Sequence, residues 1–222
     1  MVSWTQFSRN NVELRRLPRK KNRWDDHYAR QARDQKWLAR SVFKLQEIDT
    51  RFRIIAPGAR LLDLGCYPGS WSQYGVQRVG PKGEVVGIDL KPPRRFSSPN
   101  FRFIEADVLL LEVARLKDEI GARDVVLSDL APRTTGIRLA DESRSLELAE
   151  RALEIALALL KKNGHFLCKV FEGEGLKAFR DGAARYFRKM RTVRPSAVRK
   201  GSREVYIVGS GFRGLQTAGG KQ

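Results

Sequence analysis

The sequence has few of the side chains from which protein metal sites are built. Among 222 residues there are two cysteines, Cys66 and Cys168, and two histidines, His27 and His165. None of the four lies at metal-ligand spacing from another, so we expect no metal site. Two distant cysteines also make no disulfide framework, which favours a reducing compartment such as the cytoplasm.

Long apolar runs are also missing. No stretch approaches the roughly 20 consecutive apolar residues that a membrane helix needs, and the first residues lack the apolar segment of a secretory signal. We therefore expect a cytoplasmic protein that does not associate with membranes, and we expect it to be a monomer.

Negative charge is scarce relative to positive charge. The chain has 25 Asp and Glu residues against 43 Lys and Arg, a formal net charge of +18. Such an excess favours a polyanionic partner, because each phosphate neutralised by Lys or Arg releases condensed counterions. Nucleic acid is the expected partner class, although basic ribosomal proteins and membrane-surface proteins share this composition. The charge therefore indicates a class of partner and gives no information about the reaction.

The chain length suits a single domain with its own core. Residues 1–24 are polar and basic without a clear period, residues 25–210 carry the periodic patterns, and residues 211–222 are glycine-rich. We predict a basic arm, one folded domain and a flexible tail over these three ranges. The basic start also fits an organelle transit peptide, and the sequence leaves both interpretations open.

Short apolar runs alternate with helical patterns along the predicted domain. The runs predict six strands, at residues 60–64, 84–89, 101–105, 124–129, 165–171 and 204–208. Helices are predicted at residues 25–52, from about residue 70, at 142–162 and at 176–188. This alternation is typical of an α/β fold with a mostly parallel, doubly wound, Rossmann-like sheet. Ligands of such sheets bind beyond the carboxyl ends of the strands.

A glycine-containing turn, Asp-Leu-Gly-Cys-Tyr-Pro-Gly-Ser-Trp at residues 63–71, follows the first strand. Gly65 and Gly69 allow the backbone to approach a ligand, and the next helix begins with unpaired N–H groups. The spacing differs from the dinucleotide and P-loop patterns, and Pro68 removes one amide from a pyrophosphate cradle. The turn, through Trp71, therefore predicts a ligand without phosphates.

Acidic residues end the next two strands. Asp89 ends the second strand, where a carboxylate can accept hydrogen bonds from both hydroxyls of a ribose. Asp107 follows the third strand, where its carboxylate and the backbone at Val108 can meet an adenine edge. These features predict S-adenosylmethionine as the cofactor. The predicted contacts are Gly65, Pro68, Gly69, Trp71, Asp89, Asp107, Val108 and Asp129.

Five stretches of the chain resemble the FtsJ-type (RrmJ) family of RNA ribose 2′-O-methyltransferases. They are Arg40–Leu45, Asp63–Trp71, Ser128–Pro132, Lys169–Phe171 and Ser202–Tyr206. The resemblance runs from about Tyr28 to Val208 and implies a seven-stranded methyltransferase sheet with the last strand antiparallel. Cys66, Tyr67 and Ser70 replace small residues of the family's Ala-Ala-Pro-Gly-Gly-Trp turn, which leaves the loop contacts open.

The resemblance also implies a catalytic tetrad, which maps onto Lys44, Asp129, Lys169 and Glu204. The residue types agree with this assignment, because charges at apolar strand ends need partners and two lysines can pair with two carboxylates. A purely structural ion-pair cluster is the alternative. Lys169 is the candidate base, acting from its neutral form, or else a cation that orients the attacking hydroxyl.

The resemblance thus implies S-adenosylmethionine-dependent methylation of a uridine ribose in large-subunit ribosomal RNA. Two alternatives remain at this point. One is the same reaction on a transfer RNA, and the other is a non-catalytic RNA-binding module on the same fold. The absence of an Asn-Pro-Pro-Tyr motif disfavours base methylation.

Overall fold

The computed structural model describes residues 23–215, so the predicted arm lies outside the described residues except for its last two positions. Along the described chain the elements are α1 (Arg23–Asp34), α2 (Val42–Phe52), β1 (Arg60–Leu64), α3 (Ser70–Val79), β2 (Glu84–Asp89), β3 (Phe101–Glu105), α4 (Val113–Ile120), β4 (Arg123–Ser128), α5 (Arg138–Leu159), β5 (Leu160–Phe171), α6 (Gly175–Ala184), β6 (Phe187–Val193) and β7 (Glu204–Phe212). None of these helices is long and apolar enough to cross a membrane.

The strands form one seven-stranded sheet in the order β3-β2-β1-β4-β5-β7-β6. The first five are parallel, and β7 runs antiparallel to both of its neighbours. This confirms the predicted α/β class, the Rossmann-like sheet and the antiparallel last strand. The strand order reverses between β1 and β4, so the carboxyl ends of these two strands border the expected ligand crevice.

Helices cover both faces of the sheet. Side chains alternate along each strand, so Leu61 and Leu62 pack on opposite sides. One core lies under α1, α2 and α3, and the other lies under α4, α5 and α6. Because both faces are buried, the central strands are nearly continuous apolar runs, which is why their positions could be predicted.

The prediction of one helix over residues 25–52 is wrong. The chain leaves the helix after Asp34, passes through Lys36 at a φ of 59°, and resumes as α2 at Val42. Gln73 of α3 stabilises the break, since its side chain donates to the Lys36 carbonyl at 3.0 Å and accepts from the Leu38 amide at 3.2 Å. A residue more than thirty positions away thus satisfies the interrupted backbone.

The predicted helix at residues 176–188 is also wrong at its end. It stops at Ala184, and Phe187–Val193 forms the edge strand β6, which the sequence patterns did not reveal. Arg188, Lys189 and Arg191 place exposed charges on this strand, a common way of protecting a sheet edge from further pairing. Helix α4 was not predicted either. Strand β5 begins five residues before its predicted start at residue 165, and β7 continues two residues beyond the predicted domain end at residue 210.

Candidate active site

A cavity of about 600 Å³ lies at the carboxyl ends of the parallel strands. Of the eight predicted cofactor-binding residues, five line it: Gly65, Asp89, Asp107, Val108 and Asp129. They come from the carboxyl ends of β1, β2, β3 and β4, which neighbour one another in the sheet. This is where ligands of such sheets are expected to bind. Arg133, Arg144 and Glu147 also line the cavity and were not predicted, because nothing in their local sequence distinguishes them from solvated residues. Leu130, within the Ser128–Pro132 stretch, lines it as well.

Backbone amides orient the carboxylates at the rim of this cavity. Asp89 accepts hydrogen bonds from the amides of Tyr67 (2.9 Å) and Lys91 (3.3 Å), and Asp107 accepts one from the amide of Leu109 (3.0 Å). A carboxylate oxygen can accept more than one hydrogen bond, so both side chains retain acceptor capacity for a ligand. Their positions after β2 and β3 suit a ribose and an adenine edge.

The glycine turn closes one wall of the cavity. Gly65 has a φ of 78°, and a Cβ at this position would lie 3.0 Å from the side chain of Leu130 and 3.1 Å from its backbone nitrogen. Only glycine fits this close approach without strain. Gly65 and Leu130 both line the cavity, so their close packing shapes this wall.

Three predicted cofactor contacts lie behind the cavity wall and do not line it. The Pro68 carbonyl accepts a hydrogen bond from the Arg94 amide at 3.0 Å, and Gly69 packs against Pro93. Trp71 is buried, donates from Nε1 to the Ser41 carbonyl at 2.9 Å, and packs against the ring of Tyr206. These residues shape the turn and support the helix that carries Lys44.

The four residues of the predicted tetrad form two adjacent ion pairs. Lys44 on α2 pairs with Glu204 at the start of β7, and Lys169 on β5 pairs with Asp129 at 3.1 Å. The Lys169 ammonium also donates to the Asp129 carbonyl at 2.7 Å. Because Asp129 lines the cavity, this ionic group lies beside the proposed cofactor space.

Tyr206 joins the two ion pairs and was missed as a site residue. Its hydroxyl donates to Asp129 at 2.9 Å and lies 3.5 Å from a Glu204 oxygen. Burial, reinforced by the two carboxylates, raises the pKa of Tyr206 well above its usual value, so the hydroxyl keeps its proton. The available signal was its position two residues after Glu204, which puts both side chains on one face of β7.

Asp63 is a buried carboxyl group near this site. Ser72 donates to one of its oxygens at 2.7 Å, and the other has no hydrogen-bond partner among the described residues. Burial, with the carboxylates of Asp129 and Asp89 nearby, raises the pKa of Asp63 to about 7. The strand end thus carries a carboxyl group whose charge depends on pH near neutrality.

Comparison with known proteins agrees with this geometry. A model of the FtsJ-like methyltransferase family matches residues 37–212. A Desulfatibacillum aliphaticivorans protein named ribosomal RNA large subunit methyltransferase E is 48% identical over 87% of this chain and 94% of its own length. A protein of the same name from Bdellovibrio bacteriovorus is 46% identical over 83% of this chain and 95% of its own.

Solved structures show the same fold. A Plasmodium falciparum protein described as a ribosomal RNA methyltransferase superposes with a TM-score of 0.71 at 26% identity, covering 80% of this chain and all of that one. Aeropyrum pernix fibrillarin, solved with natively bound S-adenosylmethionine, superposes with a TM-score of 0.53 at 16% identity. It covers 70% of this chain and 68% of its own, and its likeness concerns the fold alone.

Proposed function

The chain belongs to the FtsJ-like methyltransferase family, and on that premise we propose that it methylates the ribose 2′-hydroxyl of a uridine in large-subunit ribosomal RNA. The observation that carries this proposal is the ionic group of two lysines and two carboxylates beside the cavity. A non-catalytic RNA-binding module would have no use for two largely buried lysines at that place.

S-adenosylmethionine fits the cavity by size and by donor chemistry. Asp89 would hold the ribose hydroxyls, and Asp107 and the Val108 backbone would meet the adenine. The backbone at Gly65, which lines the cavity, would face the methionine portion. When bound, the cofactor supplies a methyl group on a positively charged sulfur. The carboxylates of Asp89 and Asp129, which line the cavity, favour a cation there.

The chain's own residues would prepare the nucleophile. Lys169 would bind the ribose hydroxyl and either remove its proton as the neutral amine, becoming the ammonium, or orient it as an ammonium throughout. In both cases Asp129 holds the nitrogen in place. Lys44 and Glu204 pair across the site, and the Tyr206 hydroxyl ties their pair to Asp129. Each of these groups is fixed before the substrate arrives, which lowers the entropic cost of alignment.

The substrate assignment rests on charge and on the names of the relatives. A small depression of about 180 Å³ beside the tetrad is lined by Arg40, Ser41, Lys44, Arg199 and Glu204. Its cations outnumber its single carboxylate, which favours a phosphate of the target nucleotide. The relatives' names specify the large ribosomal subunit, which favours ribosomal over transfer RNA. We further propose that the protein acts as a cytoplasmic monomer on the assembled subunit.

Large ribosomal subunits and, in a separate reaction, transfer RNA from cells that lack this protein provide the test. Purified protein and S-adenosylmethionine carrying a labelled methyl group are added, and the label is mapped by resistance of the modified linkage to alkaline hydrolysis. We expect one protected linkage 3′ of a uridine, absent with a Lys169→Met variant. Label in transfer RNA, or label on a base with no protected linkage, would contradict the proposal.

A further inference from the structure

The loop between β2 and β3 carries basic side chains that the proposed reaction does not use. We propose that Lys91, Arg94 and Arg95, here called the basic loop, bind phosphates of the substrate RNA next to the cofactor cavity. This inference rests on the proposed function, because it assigns a second contact surface to the same RNA.

The basic loop is exposed and its charge is not neutralised locally. Residues 91–100 contain no acidic residue. Within residues 23–215, the side chains of Lys91 and Arg95 have no hydrogen-bond or ion-pair partner, and neither have the terminal nitrogens of Arg94. Arg102, an exposed arginine on β3 just after the loop, is by contrast paired with Glu119. The loop thus keeps three cationic groups available for an external anion.

Arg94 is already ordered for such a contact. Its Nε donates to the Tyr67 hydroxyl at 2.7 Å, and its guanidinium lies 5.2 Å from the centre of the Tyr67 ring. These contacts do not use the two terminal nitrogens of Arg94. The two nitrogens form a fork whose spacing matches two oxygens of a phosphate. Because the side chain is held before binding, RNA contact would cost less conformational entropy than contact by a free arginine.

The basic loop is attached to the cofactor turn. The Arg94 amide donates to the Pro68 carbonyl at 3.0 Å, and a Cβ on Gly69 would lie 2.8 Å from Pro93, so the two loops are in close contact. Tyr67 and Leu90 line the same cavity as Asp129. The loop and Asp129, the partner of Lys169, thus border the same cavity, and the phosphates that flank the target ribose are the ligands we propose for the loop. A charged loop that only increased solubility would need neither the hydrogen bond from the Arg94 amide to Pro68 nor the contact between the Arg94 side chain and Tyr67.

The experiment compares charge removal at the two ends of β2. Lys91→Gln/Arg94→Gln/Arg95→Gln removes the basic loop, whereas Lys82→Gln removes an exposed charge just before β2, at the opposite edge of the sheet. Binding of a fluorescein-labelled RNA hairpin is followed by anisotropy across a salt series. We expect the slope of log K against log salt to become shallower by about 2 to 3 in the triple variant, at roughly 0.7–0.9 per phosphate contact, and to stay unchanged in Lys82→Gln.

A second variant separates the loop from the cofactor turn that it contacts. Lys91→Gln/Arg95→Gln leaves Arg94 on Tyr67 and should still reduce the slope by about 1 to 2, with unchanged S-adenosylmethionine affinity in calorimetry. Wild-type slopes in both variants would overturn the inference, as would a loss of cofactor affinity without a change in slope. If the wild-type protein neither binds nor methylates RNA, the proposed function itself fails, and that result is distinct from the former two.

Discussion

At the scale of single residues, Lys169 has the most constrained environment in the site. Its ammonium contacts two oxygens of one residue, the carbonyl and the carboxylate of Asp129, and its side chain is 6% exposed. This geometry holds the amine at the cavity edge and suits either a base or an orienting cation. An arginine at position 169 distinguishes the two roles, because it can orient the hydroxyl as a cation but cannot accept its proton.

We predict that Lys169→Arg lowers the single-turnover rate almost as far as Lys169→Ala, by about 10²–10⁴-fold. The guanidinium stays protonated and cannot accept the hydroxyl proton. The rate is measured with saturating RNA and cofactor, and cofactor affinity measured by calorimetry serves as the control for folding. Near wild-type rates in the arginine variant would leave Lys169 as an orienting cation, and activity in the alanine variant as well would reduce the tetrad to a structural cluster.

Asp63 makes the stability of the fold depend on pH. Its folded-state pKa of about 7 lies above the unfolded value, so the folded protein binds a proton that the unfolded chain has released. Its contribution to stability is therefore greatest in acid and is lost as the pH rises towards 7. His165 acts in the opposite direction, because burial lowers its pKa.

Comparison with Asp63→Asn isolates this contribution, since His165 is present in both proteins. The free energy of unfolding of wild type relative to the variant should fall by about 3 kcal/mol from about pH 5 to about pH 8, at roughly 1.4 kcal/mol per pH unit over the titrated range. Urea denaturation at several pH values provides the measurement. A constant difference between the two proteins would show that Asp63 is ionised throughout.

At the scale of elements, Asp49 connects α2 with the segment that precedes β1 and with α3. Its buried carboxylate accepts hydrogen bonds from the Ile55 amide, the Tyr74 hydroxyl and the Arg78 Nε, each at 2.9 Å. The orientation of α2, and so the position of Lys44, depends on these contacts. Arg78 is 43% exposed, so its half of the ion pair is solvated.

We predict that Asp49→Ala destabilises the protein by about 3 kcal/mol, because a buried amide and a buried hydroxyl lose their acceptor. The matched variant Arg78→Gln breaks the same ion pair from its solvated side and should cost less than about 1 kcal/mol. Chemical denaturation of the two variants gives the comparison. Equal losses would mean that the ion pair, and not the buried hydrogen bonds, holds α2.

At the scale of the whole molecule, positive charge determines the interaction with RNA. The net charge is +18, and exposed cations occur in the basic loop and on the edge strand β6. Residues 1–22, which lie outside the described residues, contribute six more Arg and Lys residues to the sequence. Each contact between a cation and a phosphate contributes a small part of the free energy of RNA binding, and many such contacts together give the affinity. Salt weakens all of these contacts together.

We predict that RNA affinity falls steeply with salt, with a log–log slope of roughly 0.7–0.9 per phosphate contact. Deletion of residues 1–22 should make the slope shallower, because the six Arg and Lys residues of that segment are removed. Anisotropy titrations provide the slopes, and the melting temperature of the truncated protein provides the folding control. A flat salt profile of the full chain would instead indicate an apolar or protein partner.

The sequence by itself determined the class of the fold and most of the candidate site. The buried strands β1 and β2 are mostly apolar, and the edge strand β3 alternates apolar and charged residues, so all three could be located to the residue. The acidic residues at their ends could be assigned to one edge of the sheet. Asp89, Asp107 and Asp129 needed no tertiary information, because their positions relative to strand ends already brought them together.

Only the tertiary structure decided the features that depend on contacts between distant residues. Gln73 interrupts the first predicted helix by binding the backbone at Lys36 and Leu38, and no local pattern records this. Whether Trp71 faced the cavity or the core, and whether Tyr206 linked the two ion pairs, depended on how α2, α3 and β7 pack. Periodicity indicates which face of an element is buried, whereas the side chain it meets there is set by the packing of the other elements.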